Sequence, residues 1–146
     1  MTKTLLINIS NKNSLHSWGT EDSKIMLQRI KNVAGFEKVK FIFLYGSAAR
    51  GQMVEGSDID FCIYYEGGQK ESSRFRLKLL SELFDDVYDI QIFQQLPLYV
   101  RVEVLKGREI YCEDKRFLYE TATETIKDFE AFKYRFYDYI REKAIK

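Results

Sequence analysis

The chain has 146 residues, of which 45% are hydrophobic and only one is proline. That length suits one domain with a real hydrophobic core, so a wholly disordered chain is not expected. The 23 basic and 22 acidic residues balance each other. A broad basic surface for nonspecific binding of nucleic acid is therefore not indicated, and we expect no direct nucleic-acid binding.

The cysteines, the single histidine and the lengths of the apolar runs indicate where the protein is located and which metal sites it could form. Cys62 and Cys112 form no Cys-x-x-Cys pair, so a zinc site is not indicated and both are expected to be reduced thiols. The lone histidine, His16, lies in a polar stretch and is expected to be exposed. No run is long enough for a signal peptide or a membrane-spanning helix, so we expect a cytoplasmic protein.

The first half of the chain predicts a helix between two extended segments, and then a second strand. Residues 4–9 favour a short strand or an extended arm, and a loop of turn-forming residues follows. Thr20 is predicted to cap a helix that ends at Gly35. The run at 39–45 is apolar on both faces and predicts a central strand, and residues 58–65 predict a second strand.

The second half continues the alternation of helices and strands. A helix is predicted from about 70 to 84, and a third strand at 86–93. Proline then begins a short helix over 97–105, with Gly107 at its C-cap. Residues 108–112 favour a short extended piece.

Residues 114–145 predict one long C-terminal helix that Asp114 or Glu113 caps. We interpret the whole chain, 1–146, as a single domain with its core at about 20–112 followed by this helix. The order of the elements predicts an α/β fold, with a small mixed sheet of three to four strands flanked by helices.

The C-terminal helix carries more aromatic side chains than one buried stripe can hold. Aromatic residues make up 15% of the chain. Those in the helix are Phe117, Tyr119, Phe129, Phe132, Tyr134, Phe136, Tyr137 and Tyr139. Either the rest of the fold wraps the helix, or some of these rings form a protein-binding face.

A glycine–serine pair follows the first predicted strand of the sheet. Gly46 lets the backbone turn sharply and lets a ligand come close. Ser47 can cap a single helical turn, "AAR", and leave backbone N–H groups free for phosphate oxygens. Arg50 adds a positive charge nearby. Alone, such a pair is a weak signal of phosphate binding.

Two carboxylates begin the second strand. Asp58 and Asp60 project from the same face, where two ionised groups repel unless a cation lies between them. Mg²⁺ binds carboxylate and phosphate oxygens together, although an isolated Asp-x-Asp is more often solvated or a cap. Asp89 lies inside the next apolar run, where an unpaired carboxylate is costly. If the two strands are neighbours, Asp89 faces Asp60 and completes a three-carboxylate cluster suited to two metals.

The stretch "GSAARGQMVEGSDID", with an acid on the next strand, resembles the minimal nucleotidyltransferases of the DNA polymerase beta superfamily. The resemblance runs from about Phe36 to Phe93, and it implies a polymerase-beta-like fold with a two-metal Mg²⁺ site and ATP or another nucleoside triphosphate as substrate. The nucleotide-binding residues it implies are Gly46, Ser47, Arg50 and Ser57. The catalytic and metal-binding residues it implies are Asp58, Asp60 and Asp89.

A chain of this size also resembles the MntA-type antitoxins, although the stretch before Thr20 is longer than expected. That resemblance implies AMP transfer to a tyrosine of a HEPN-domain toxin, which would be the partner in a hetero-oligomer. Two alternatives stay open. One is nucleotidyl transfer to a small hydroxylated molecule such as an aminoglycoside, which normally needs a further domain. The other is a non-catalytic module that binds a partner and a nucleotide.

Overall fold

The computed structural model describes residues 18–52, 58–83 and 85–145. The strand or arm predicted at 4–9, His16 and Ser57 lie outside these ranges. Two short 3₁₀ helices, Phe36–Lys38 and Phe93–Gln95, connect larger elements. Those larger elements are, in chain order, α1 (Thr20–Lys31), β1 (Val39–Tyr45), β2 (Ile59–Tyr65), α2 (Gln69–Leu83), β3 (Tyr88–Ile92), α3 (Leu98–Leu105), β4 (Arg108–Cys112) and α4 (Lys115–Ile145).

The strands of the described residues form one four-stranded mixed sheet in the order β3-β2-β1-β4. The central strand β1 runs antiparallel to both β2 and β4, and β2 runs parallel to β3. A parallel pair needs a crossover connection, which α2 provides. The predicted α/β fold with a small mixed sheet and a long C-terminal helix is confirmed.

Helices α1 and α2 cover one face of the sheet. Alternate strand residues point toward them, and the helices contribute apolar side chains at helical spacing. The fully buried members of this cluster include Met26, Ile30, Ile42, Leu44, Phe61, Ile63, Leu79 and Ile90. This face holds the larger of the two clusters of buried residues.

A smaller cluster lies on the opposite face, under α3 and the first turns of α4. Phe41, Phe43 and Cys62 point to this side, between the residues that serve the larger cluster. Phe117 and Leu118 of α4 pack against them. Strand β1 is therefore buried on both faces, as its continuous apolar run predicted.

The predicted cap of α1 is wrong by one residue. The N-cap is Gly19 rather than Thr20, and the Asp22 carboxylate accepts a hydrogen bond from the Gly19 N–H at 2.8 Å. Trp18, which is buried, fixes the chain just before the helix, because its indole N–H donates to the Ser23 hydroxyl at 2.8 Å.

The predicted C-cap of α3 is also displaced, because Lys106 rather than Gly107 occupies that position. Gly107 has a different role. A Cβ atom there would overlap the carbonyl oxygen of Leu44 and lie 3.1 Å from the Cα atom of Tyr45. The glycine therefore allows β4 to begin in direct contact with the end of β1.

Helix α4 begins as predicted, with the Asp114 carboxylate accepting hydrogen bonds from the N–H groups of Arg116 and Phe117 at 3.0 and 3.4 Å. Its first turns pack on the sheet and on α3. Most side chains beyond Glu130 are exposed. Over the described ranges, no helix combines the length and apolar character needed to cross a membrane.

Candidate active site

The residues after β1 form a tight turn that we call the phosphate turn, residues 46–52. Gly46 and Gly51 adopt left-handed backbone angles, with φ of 73° and 68°, which glycine accepts without steric cost. Within the phosphate turn, the backbone hydrogen bonds are donated by the N–H groups of Arg50, Gly51 and Gln52. The N–H groups of Ser47, Ala48 and Ala49 are not used in these bonds. The predicted single helical turn is present as a hydrogen-bonded turn that the Arg50 N–H and the Gly46 carbonyl close, and it does not continue into a helix. It keeps amide donors available for an anion.

Gly46 brings this turn into contact with an acid of the next strand. A Cβ atom at Gly46 would lie only 2.5 Å from Oδ2 of Asp60. The absence of a side chain therefore lets the Asp60 carboxylate lie directly against the backbone of the turn. The sequence predicted a glycine that admits a ligand, and the structure adds that the glycine admits a carboxylate.

Asp60 and Asp89 are direct neighbours across the parallel strands. They are register partners in the β2–β3 pairing, so their side chains leave the same face of the sheet on strands about 4.8 Å apart. The side-chain amide of Gln91 donates to the Asp89 carboxylate at 3.0 Å. The predicted condition, that the third strand lies beside the second with its acid facing Asp60, is met.

The environment makes Asp60 a weaker acid than usual. Burial raises its pKa to about 6, and the charges of Asp89 and Asp58 and a hydrogen bond with Asp89 act in the same direction. The positive charge of Arg50 acts in the opposite direction. The site therefore concentrates negative charge, and a cation or a proton would stabilise it.

Asp58 lies just before β2 and is exposed. It is close enough for its charge to act on Asp60. Across residues 18–52, 58–83 and 85–145, no three His, Cys, Asp or Glu side chains are arranged to hold a metal ion. The structure thus brings Asp60 and Asp89 together with Asp58 at the rim, and magnesium binding at the three residues stays a prediction.

Arg50 is an exposed residue of the phosphate turn, and its Nε donates to the side-chain oxygen of Gln52 at 3.1 Å. Its effect on the pKa of Asp60 places the guanidinium within electrostatic reach of the acids. The predicted cation is therefore near the site. Ser57, the remaining predicted nucleotide-binding residue, is outside the described residues.

Tyr45 is a residue of the site that sequence reasoning missed. It ends β1 as the register partner of Asp60, so its ring lies on the same face as the acids. Burial raises the pKa of its phenol well above the usual range, with help from the charges of Cys62, Asp60 and Asp89. Tyr45 therefore stays a neutral hydrogen-bond donor. Its place beside the acids depends on the pairing of β1 with β2, so the sequence alone did not indicate it.

Comparison with protein families identifies one that covers most of this region. The family described as polymerase beta, nucleotidyltransferase, matches residues 28–116. That range contains the phosphate turn and all three predicted acids. It ends just after the start of α4.

A protein of Methanocaldococcus jannaschii, described by its name as a proposed protein adenylyltransferase, is 37% identical over 83 residues. The match covers 57% of this chain and 63% of that protein. The chain therefore spans less than two thirds of the length of this relative.

Several solved structures have a similar fold. A chain of a toxin–antitoxin crystal structure with AMP-PNP gives a TM-score of 0.66 at 17% identity, covering 83% of this chain and 97% of that one. A chain of the MntA–HepT toxin–antitoxin structure gives 0.58 at 16% identity, covering 82% and 94%. A third belongs to a tri-AMPylated Shewanella oneidensis HEPN toxin in complex with an MNT antitoxin, with a TM-score of 0.59 at 16% identity, covering 85% and 98%.

Proposed function

Because the chain belongs to the polymerase beta nucleotidyltransferase family, we propose that it is an antitoxin that transfers AMP from ATP to a hydroxyl of a HEPN-type toxin. A tyrosine is the favoured acceptor. Its phenol is long enough to reach a recessed site, and its pKa near 10 makes it easier to activate than serine. We place this activity in the cytoplasm.

One observation carries the proposal: the phosphate turn and the acid pair are in contact through Gly46 and Asp60. A turn with free amide donors suits the phosphates of ATP. Carboxylates directly beside it suit the reacting end of the same nucleotide. Neither feature alone specifies nucleotidyl transfer, but their contact supplies both halves of such a site.

In the proposed reaction, the acceptor oxygen attacks the α-phosphorus of ATP and the bond to the β-phosphate oxygen breaks. Pyrophosphate leaves, and the acceptor keeps AMP on its oxygen. The amides of the phosphate turn and Ser47 bind the β- and γ-phosphates, and Arg50 balances charge on the leaving group. Asp89 accepts the proton of the acceptor hydroxyl. No covalent enzyme intermediate is required.

The acid pair also fits Mg²⁺. Asp60 is half-buried beside Asp89, its pKa is raised, and the positive charge of Arg50 opposes this concentration of negative charge. Oxygen ligands of this kind are those that Mg²⁺ prefers, and Asp58, Asp60 and Asp89 would hold it. When bound, Mg²⁺ would neutralise charge on the phosphates and lower the pKa of the acceptor hydroxyl.

A protein acceptor is favoured by the shape of the chain and by its relatives. The acids lie at an end of the sheet, where a hydroxyl on a partner can approach. The outer half of α4, residues 131–145, offers exposed aromatic rings for docking that partner. The name of the archaeal relative and the HEPN toxin complexes among the structural neighbours support the same assignment.

Intact-mass spectrometry of a co-expressed HEPN-type partner tests the proposal. With the wild-type chain, the partner should gain about 329 Da per AMP unit, a mass set by AMP transfer itself. With Asp58→Asn the gain should disappear. Asp86→Asn, which changes an exposed aspartate outside the site, is the matched control and should keep the modification. A partner that is inhibited but unmodified would instead favour the non-catalytic binding module.

A further inference from the structure

Arg108 lies against the phosphate turn although the chain separates them by more than fifty residues. It is the first residue of β4 and the register partner of Leu44. Its guanidinium donates to the carbonyl oxygen of Ala49 at 3.4 Å and to that of Trp18 at 3.5 Å. One side chain therefore spans the turn and the segment that precedes α1.

The position of Arg108 follows from its neighbour in sequence. Gly107 has no side chain, and any Cβ atom there would overlap the Leu44 carbonyl. This contact fixes the start of β4 at the end of β1, two residues before the turn begins. Arg108 therefore lies on the side of the turn that faces the larger hydrophobic cluster, which contains Trp18 and against which Ala49 packs.

The second carbonyl that Arg108 binds belongs to a firmly held residue. Trp18 is 5% exposed and packs edge-on against Phe61 and Tyr88. The Arg108 guanidinium makes no ion pair with a carboxylate in the part of the chain that the structure describes. Its hydrogen bonds are thus directed at backbone carbonyls, and they join a glycine-containing turn to a buried residue.

We propose that Arg108 is a positioning residue that holds the phosphate turn in its anion-binding form. The turn has only a few hydrogen bonds of its own, at 2.9 to 3.3 Å, and glycines with wide conformational freedom lie near both of its ends. A planar guanidinium can bind two carbonyls at once, which an ammonium cannot do with the same geometry. Without it the turn opens locally, and its free amides no longer converge on one anion.

The chain provides a matched control. Arg101 also clamps two backbone carbonyls, with Nε donating to Leu96 at 3.0 Å and Nη2 to Gln94 at 2.9 Å, but it lies away from the phosphate turn. Arg108→Gln and Arg101→Gln remove the same kind of clamp from two places. Arg108→Lys keeps the charge and removes only the planar fork.

Two measurements on the full chain test the inference. Amide hydrogen exchange of Arg50, Gly51 and Gln52, without nucleotide, should be about tenfold faster in Arg108→Gln and Arg108→Lys and unchanged in Arg101→Gln. The affinity for AMP-PNP, measured by calorimetry, should fall about tenfold in both Arg108 variants and stay constant in Arg101→Gln.

Exchange at the turn that is the same in wild type and Arg108→Gln would overturn the inference, and so would equal loss of AMP-PNP affinity in Arg101→Gln. If Arg108→Gln does not fold, Arg108→Lys decides by the same criteria. The inference rests on the proposed function only for its nucleotide arm. A wild-type chain that fails to bind AMP-PNP would refute the proposed function, while the exchange rates would still decide the role of Arg108.

Discussion

The sheet end that carries Gly46, Asp60 and Asp89 and the outer half of α4, residues 131–145, use their side chains in opposite ways. At the sheet end, each position is fixed by the backbone: a left-handed glycine, a carboxylate in contact with it, and a register pair. In the outer half of α4, rings such as Tyr134 (71% exposed) and Tyr137 (62% exposed) point into solvent.

The difference suggests a division between chemistry and docking. Exposed aromatic side chains contribute little to the stability of the chain that carries them, but they are common anchors at protein interfaces. We therefore assign the transfer step to the sheet end and partner binding to the outer half of α4. Substitutions in the two regions should separate these two properties.

Asp60→Asn should give the largest effect. Loss of this carboxylate removes several kcal/mol of transition-state stabilisation, so AMP transfer should fall roughly a thousandfold or more. Complex formation with the partner should be unchanged, because the exposed aromatic side chains of α4 that we propose for partner binding are intact. Pull-down and initial rates with a purified partner check this, and transfer at the wild-type rate would show that Asp60 is not part of the reaction.

Removal of the outer half of α4 should give the converse result. A cut after Glu120 would also remove Thr125, which is buried. A cut after Glu130 is cleaner. It should weaken the complex about a hundredfold or more, while AMP-PNP affinity and the melting temperature change little. A truncated chain that still binds the partner tightly would end the assignment of docking to this segment.

Changes in the phosphate turn should weaken nucleotide binding. Ser47→Ala should weaken AMP-PNP binding by about 1 to 2 kcal/mol, the scale of one charge-assisted hydrogen bond. Gly46→Val should be worse, since its side chain would collide with the Asp60 carboxylate and would need a strained left-handed φ. Calorimetry compares both with wild type. Equal affinity in all three proteins would place the nucleotide elsewhere.

Asp60→Asn should also raise stability, by on the order of 1 kcal/mol once its pKa shift is discounted for partial exposure to solvent. The pKa of Asp60 in the folded chain is about 6, above the ordinary 3.8. Ionisation therefore destabilises the fold progressively from about pH 4 to 6, and the full penalty is present above that window. Denaturant melts in EDTA should show the gain at pH 7.5 and none near pH 3.5. A uniform gain at both values would point to a cause other than charge.

The pairing of Asp60 with Asp89 and the fold could be predicted because their signals are local. The alternation of polar and apolar residues at 58–65 and the apolar run around Asp89 predicted the two strands. The parallel pairing of these strands then brings Asp60 and Asp89 together. The phosphate turn could also be predicted, because Gly46 and Ser47 follow the strand directly in sequence.

Other features depend on contacts between distant segments, which periodicity does not encode. A glycine just after a predicted helix is typical of a C-cap. The steric role of Gly107 follows only from the approach of β4 to Leu44. Thr20 was a reasonable cap in isolation, but the N-cap is Gly19, whose N–H donates to the Asp22 carboxylate. Tyr45 and Arg108 gained their positions from strand pairing. The exposure of the outer half of α4 depends on how residues 18–52, 58–83 and 85–130 pack, which periodicity along the helix does not show.

The most direct test of the central claim is transfer of label from ATP to a purified HEPN-type partner, with the label placed either on the α-phosphorus or on the γ-phosphorus. Nucleotidyl transfer at the Asp60–Asp89 site predicts that the α-label enters the partner and the γ-label leaves with pyrophosphate. The wild-type chain and Asp86→Asn should show this pattern, and Asp60→Asn should transfer neither label. Transfer of the γ-label, or α-label transfer that survives in Asp60→Asn, would contradict the account.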